Sequence, residues 1–240
     1  MALSAASVGP ASPSMGEWQG LVQGDPVDDA GVGRYPAELA FRWTTRVGTT
    51  VHVRPIRAGD ASRLLAFHRQ LSPTSVYRRH FFMHPELSDA EVEHFTRVDY
   101  VDRLALIAEN ADELVAVCRY ERGPDTTEAE VAFVVADAYQ HLGIGTMLLD
   151  HLAYAARPNG ISTFVATTLA DNRNMVDVFL HSGFTVTMTS SHGVISVRLA
   201  IGLDDDSQAG RSTSTEPATD QESASNPAPG KEGPSALPSC

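Results

Sequence analysis

The chain has 240 residues, 42% of them apolar, and a formal net charge of −12. That length suffices for one domain with a sizeable core or two small ones. No stretch approaches the ~18 apolar residues of a membrane span, and the acidic balance argues against non-specific nucleic-acid binding while mildly favouring a cationic substrate. Cys118 and Cys240 make no disulfide framework. The N-terminus has neither a basic segment nor a long apolar stretch, so no secretory signal is read there and a cytoplasmic protein is expected.

The charge is unevenly spread: residues 1–34 carry −3, residues 203–240 carry −5 and the middle carries −4. Residues 1–34 are rich in Ala, Ser, Gly and Pro and show no apolar period. From Asp204 onward the chain lacks aromatic residues, Ile and Val. Such segments bury too little apolar surface to offset chain entropy. Disordered ends are therefore expected around one folded domain, residues 35–202.

Within that span, strands and helices alternate. Thr49–Ile56, "TTVHVRPI", reads as a strand. "GDASRLLAFHRQL" reads as a helix with Asp60 as candidate N-cap, and "SPTSVYRRHFF" as a short helix capped by Ser72 with Pro73 in its first turn. "SDAEVEHFTRV" opens with Ser88 and Glu91 at capping-box spacing. Arg103–Glu109 and Glu113–Arg122 flank a short turn and form a hairpin. Glu128–Val135, "EAEVAFVV", is a further strand and leads directly to a pair of glycines, Gly143 and Gly145.

After the glycines, Ile144, Met147, Leu148, His151, Leu152 and Ala155 make the apolar stripe of a helix packed on a sheet. A strand "TFVATT", a helix Asn174–Ser182 and two closing strands, "GFTVTMT" and "GVISVRL", complete the domain. The pattern is that of an α/β domain on a mixed sheet.

The glycine pair thus sits at a strand-to-helix junction. The first amides of a helix have no internal partner and its dipole favours an anion there. Glycine lets a phosphate approach those amides closely. Dinucleotide-type spacing and Gly-Lys-Ser/Thr are both missing; what stands is Gln140-x-x-Gly143-x-Gly145.

This motif resembles the acyl-CoA-binding motif Q/R-x-x-G-x-G/A of the GNAT acyltransferase superfamily. The resemblance extends over about residues 35–201. "YPAEL", "VHVRPIRAGD", "AFHRQLSPTSVYRRHFF" and "RVDYVDRLALIAE" are similar to the GNAT domain of bacterial protein lysine acetyltransferases. In that subfamily the domain is often joined to a cyclic-nucleotide-binding or acyl-CoA-synthetase-like domain, which the short, polar flanks here do not match. The resemblance implies a mostly antiparallel central sheet flanked by helices, acetyl-CoA as co-substrate, no metal, and an amine acceptor, foremost a protein lysine. A small-amine acetyltransferase and a non-catalytic acyl-CoA sensor remain alternatives.

By the same resemblance, the backbone of Phe133, Val134 and Val135 pairs with the pantetheine arm. His141, Leu142, Gly143, Ile144, Gly145 and Thr146, with Gln140, surround the pyrophosphate. Asn172 matches a position that hydrogen-bonds the CoA arm, and Gly183-Phe184 matches the end of that segment. Tyr77, Arg78, Arg79, His80, Phe81 and Phe82 fall where the superfamily walls its acceptor site, with at least one of the two phenylalanines in the core.

Acyl transfer to an amine needs a base, because a lysine ammonium of pKa ~10.4 has no lone pair; it also needs N–H donors for the thioester oxygen and benefits from a proton donor for the thiolate. Glu128 and Glu130 are the candidate bases, both on one face of their strand. Glu130 matches the glutamate that serves in the subfamily, and its apolar neighbours would partly desolvate it. The tyrosine that many members carry four residues before Gly-Phe is Phe179 here, which has no proton to give. His181, two residues on, is expected to face elsewhere.

Overall fold

The computed structural model describes residues 33–80 and 86–202. Residues 1–32 and 203–240 of the expected disordered segments, Cys240 among them, lie outside the described residues, as do Phe81, Phe82 and the His80 side chain. Eight strands form one sheet: β1 (Phe41–Thr44), β2 (Thr50–Pro55), β3 (Arg103–Asn110), β4 (Glu113–Arg122), β5 (Glu128–Val135), β6 (Thr163–Leu169), β7 (Thr185–Ser191) and β8 (Val194–Ala200). Their spatial order is β1-β2-β3-β4-β5-β6-β8-β7. Every neighbouring pair is antiparallel except β5–β6. Helices are α1 (Ala61–Gln70), α2 (Pro73–His80), α3 (Asp89–Thr96), α4 (Ile144–Ala156) and α5 (Arg173–Leu180). This is the mixed, mostly antiparallel sheet with flanking helices that the sequence led us to expect.

Helix α4 covers one face of the sheet. Its stripe of Ile144, Met147, Leu148, His151, Leu152 and Ala155 is wholly buried, and the Cys118 thiol on β4 points at the Leu148 carbonyl of α4, 3.9 Å away. Burial pushes that thiol well up, as befits a core residue. Helices α1 and α3 cover the other face, where Leu64, Phe67 and Phe95 approach Val117 and Arg119 of β4. Among the described residues, no helix is long and apolar enough to cross a membrane.

Local chemistry explains most of the joints. Ser88 and Glu91 form the capping box: Glu91 N–H donates to Ser88 Oγ at 3.3 Å and Ser88 N–H to Glu91 Oε2 at 2.8 Å. The β3–β4 turn places Ala111 and Asp112 at φ 46° and 70°, the left-handed pair that two-residue hairpins need. Asp60 sits at the N-cap of α1 but makes no cap bond. Its carboxylate accepts instead from Arg54 Nη1 and Nη2 at 2.8 and 2.7 Å and from Arg57 N–H at 2.8 Å. Arg54 also reaches Glu109 at 2.7 Å, so the start of α1 is tied to β2 and β3.

One element escaped the sequence reading. Strand β1, only four residues, pairs with β2 from Phe41–Val53 to Thr44–Thr50. "FRWT" is too short to show an alternation.

Candidate functional site: a parted strand pair beside a helix mouth

Strands β5 and β6 pair at only three positions, Glu128–Thr163, Ala129–Phe164 and Glu130–Val165. Beyond Glu130 they part, while β5 stays paired to β4 as far as Val135. The edge of β5 from Val131 to Val135 therefore has no neighbouring strand. Ala136 N–H donates to the Val115 carbonyl, so alternation turns the amides and carbonyls of even positions toward β4 and those of Phe133 and Val135 toward the gap. Val134 pairs with Val117; its backbone is taken by β4, and it meets the gap with its side chain instead.

The gap opens into a cavity of about 300 Å³. Phe133, Val134 and Val135 of β5, the N-terminus of α4 and one side of α5 line it, as do Arg78 and Arg79 of α2. At its mouth, backbone φ is positive at His141 (62°) and Gly143 (84°) and not at Leu142 between them. Such a sign change curls successive N–H groups into an anion-binding concavity. The first helical bond is Met147 N–H to the Gly143 carbonyl, which leaves the amides of Ile144, Gly145 and Thr146 without a helical acceptor.

The two glycines have different reasons to be glycine. Gly143 needs its left-handed φ. A Cβ at Gly145 would stand 3.1 Å from Val178 Cγ2, so Gly145 lets α4 approach α5. Leu142 packs against the core and does not line the cavity, whereas Gln140, His141, Gly143, Ile144, Gly145 and Thr146 do.

Gln140 lines the cavity as a brace. Its Nε2 donates to the Val135 carbonyl at 3.1 Å and to Ser75 Oγ at 3.3 Å, and its Oε1 accepts from Asn174 Nδ2 at 3.4 Å. Asp137 completes the joint, accepting from Ser72 N–H at 3.0 Å and from the Ser72 and Ser75 hydroxyls at 2.8 Å each. Burial works to raise this carboxyl, and those donors carry it below the usual range. Helix α2 is thereby pinned to the end of β5.

Asn172 is buried at the N-cap of α5, yet its side chain makes no cap bond. It lines the cavity with a carboxamide that no described residue hydrogen-bonds. A buried amide in that state fits a polar ligand in the cavity.

Glu130 is exposed on β5, not desolvated by its apolar neighbours, which point to the opposite face. It makes no hydrogen bond or ion pair with a described residue, whereas Glu128 is paired with Arg198 at 3.0 Å. Phe179 is buried and packs edge-on against Phe133 at 6.1 Å. It belongs to the core behind the cavity. His181 does face elsewhere than Phe179, but elsewhere is the cavity wall; its Nδ1–H donates to the Asp177 carbonyl at 2.7 Å. Tyr77 points outward. The sequence reading did not single out Ser75, Tyr139, Asn174, Met175 or Asp177 as lining residues; they lie on turns and helix faces whose direction only the tertiary fold sets. Among the described residues, no cluster of three His, Cys, Asp or Glu could hold a metal ion.

Comparisons with known proteins agree with this geometry. The family model described as acetyltransferase (GNAT) family matches residues 72–184. An acetyltransferase named Pat from Mycolicibacterium smegmatis is 36% identical over 133 residues, 54% of this chain and 40% of that protein. This chain thus spans less than half the length of that relative. An acetyltransferase of Pseudomonas aeruginosa is 33% identical over 141 residues, 57% of this chain and 76% of the relative. The crystal structure of the GNAT domain of S. lividans PAT superposes with a TM-score of 0.66 at 39% identity, covering 70% of this chain and 99% of that one. With a parted β5–β6 pair, an anion-ready helix mouth and these relatives, the chain belongs to the acetyltransferase (GNAT) family.

Proposed function

We propose that the protein moves an acetyl group from acetyl-CoA to the side-chain amine of a protein lysine, with Glu130 as general base. The observation that carries the reading is the free edge of β5. It runs from the anion-ready mouth of α4 to Glu130, so one extended thioester bound along it would have its diphosphate at one end and its acyl group near the carboxylate.

In this reading the amides of Ile144, Gly145 and Thr146, with the curl from Gln140 to Gly143, hold the pyrophosphate. Phe133 and Val135 pair with the pantetheine amides as a strand would, and Asn172 donates or accepts from the same arm. Glu130 takes a proton from the lysine ammonium. The freed nitrogen attacks the thioester carbonyl carbon, whose oxygen gathers charge toward the open N–H groups of β5. The attacking nitrogen gives up its second proton to solvent, the carbon–sulfur bond breaks, and the thiolate leaves with the electron pair. A free thiol has pKa ~8.5, so the thiolate is a fair leaving group and the open cavity lets solvent protonate it; Phe179 supplies no donor.

The lysine acceptor draws support from the likeness to Pat and PAT proteins. Glu130, exposed and unbonded, is open to a long side chain arriving from solvent. Residues 35–202 make up the whole domain in this reading, and a protein trimmed to that span should bind acetyl-CoA as the full chain does. The direct test is thiol release from acetyl-CoA with lysine peptides and small amines as acceptors. Turnover on peptides supports the reading. Turnover on small amines alone overturns the acceptor, and tight binding without turnover on any amine overturns the enzyme.

A further inference from the structure

A second, smaller cavity of about 50 Å³ lies on the α1–α3 face of the sheet. Its walls are mainly apolar, with Leu64, Phe67, Leu71 and Ala132 among them, but two arginines enter it. Arg79 of α2 lines this cavity and the larger one, so it stands where the two meet. Arg119 of β4 lies directly opposite Ala132 of β5, and its guanidinium carbon sits 3.7 Å from the centre of the Phe95 ring.

Neither arginine makes a hydrogen bond or ion pair with a described residue. Glu130 is the diagonal neighbour of Arg119 on the same face of the β4–β5 ladder, a spacing of ~7–8 Å that long side chains can bridge. Burial lowers the Arg119 guanidinium to about 9, and the charge of Arg79 adds to the effect against Glu121, Glu130 and Glu91. Burial lowers Arg79 too, with Glu130 opposing. Of the nearby acids, Glu121 is engaged by His94 Nε2 at 3.0 Å. Arg79 and Arg119 thus stand near Glu130 as two guanidinium groups whose N–H donors no described carboxylate takes.

A partly buried cation with no hydrogen-bonding partner is unfavourable until an anion meets it. A guanidinium lying against an aromatic ring keeps its in-plane N–H groups free, in the fork that suits a carboxylate. We propose that Arg79 and Arg119 form a carboxylate subsite for the acceptor, taking the side chain of an Asp or Glu that flanks the target lysine while that lysine reaches Glu130. This rests on the lysine reading above. A free amino acid carries the same group, and the experiment has an arm for it.

The test uses the full chain with acetyl-CoA and three lysine peptides that differ only in a flanking Glu, Gln or Lys, with free amino acids as a fourth arm. Wild type should show a KM about tenfold lower for the Glu peptide than for the Gln peptide, the order expected of one charge-assisted hydrogen bond. Arg79→Gln and Arg119→Gln should each erase that preference, and Arg79→Glu should shift it toward the Lys peptide. A merely structural role for Arg79 would not reverse a charge preference. If Arg119→Gln fails to fold, the reversal by Arg79→Glu decides. Equal KM values for the Glu and Gln peptides in wild type would overturn the subsite and leave the lysine reading standing. Turnover of free amino acids alone would overturn the lysine reading, and the subsite as stated with it.

Discussion

Glu130 of β5 stands directly opposite Glu121 of β4. Like charges so placed repel, and the structure relieves this unequally: Glu121 is held by His94, while Glu130 has no bonded partner. Glu128, two residues back, is held by Arg198. Three carboxylates crowd this end of the sheet, and only Glu130 is open to an acceptor.

Gly143 should accept a side chain only at a cost in stability. Its φ of +84° is left-handed, and a Cβ would stand 3.4 Å from Trp43 Cη2. Gly143→Ala should cost about 1–2 kcal/mol, the usual penalty for that conformation, read as a lower thermal midpoint. Gly143→Glu should in addition weaken acetyl-CoA binding, read by calorimetry, because it sets a carboxylate at the helix mouth. Unchanged affinity in a folded Gly143→Glu protein would contradict the pyrophosphate assignment.

Asn172 and Ser88 stand at two helix N-caps and should respond oppositely. Ser88 makes its cap bond to Glu91 N–H, so Ser88→Ala should lower stability by ~1 kcal/mol and leave the KM for acetyl-CoA alone. Asn172 makes no cap bond, so Asn172→Ala should leave the melting temperature nearly unchanged and raise that KM. A stability loss without a KM change at Asn172 would mark it as an ordinary helix-start residue.

The sequence exposed these parts to different degrees. The α4 stripe, the glycine pair and the Ser88–Glu91 box were legible because each is local, with spacing and residue type read within one or two turns of chain. The direction of Glu130 was legible from alternation, but its exposure was not; Ala129, Val131 and Phe133 flank it in sequence and lie on the other face. The brace of Gln140, Ser75 and Asn174 joins residues as many as 65 positions apart, and no local pattern announces it. The meeting of Arg79 with Arg119 hid for the same reason, and β1 because four residues hold too little periodicity.

His151 should make stability depend on pH. It is buried against Phe41, 4.2 Å between rings, and its Nε2–H donates to the Leu39 carbonyl at 2.8 Å. Burial lowers its imidazole, with the Leu39 bond opposing. Below the unfolded value of ~6.5 the unfolded chain gains a proton that the folded chain resists. The stabilisation is therefore full above that pH and is lost as pH falls through the folded value. Urea midpoints measured from neutral to mildly acidic pH should fall more steeply for wild type than for His151→Gln. Parallel curves would show that His151 does not carry the effect.

The most direct measurement is the pH–rate profile of Glu130→Gln beside wild type, on an acceptor peptide that wild type acetylates. The variant keeps the shape of the side chain and cannot take a proton. Its turnover should fall by ~10²–10⁴-fold near neutral pH, the usual loss of a general base, with acetyl-CoA affinity little changed. Glu121→Gln and Glu128→Gln should fall far less, since His94 and Arg198 already hold those carboxylates. The deficit of Glu130→Gln should shrink as pH approaches the lysine's own pKa of ~10.4, where free amine is present without a base. Equal rates for wild type and Glu130→Gln at neutral pH, or a deficit constant across the whole range, would contradict Glu130 as the base.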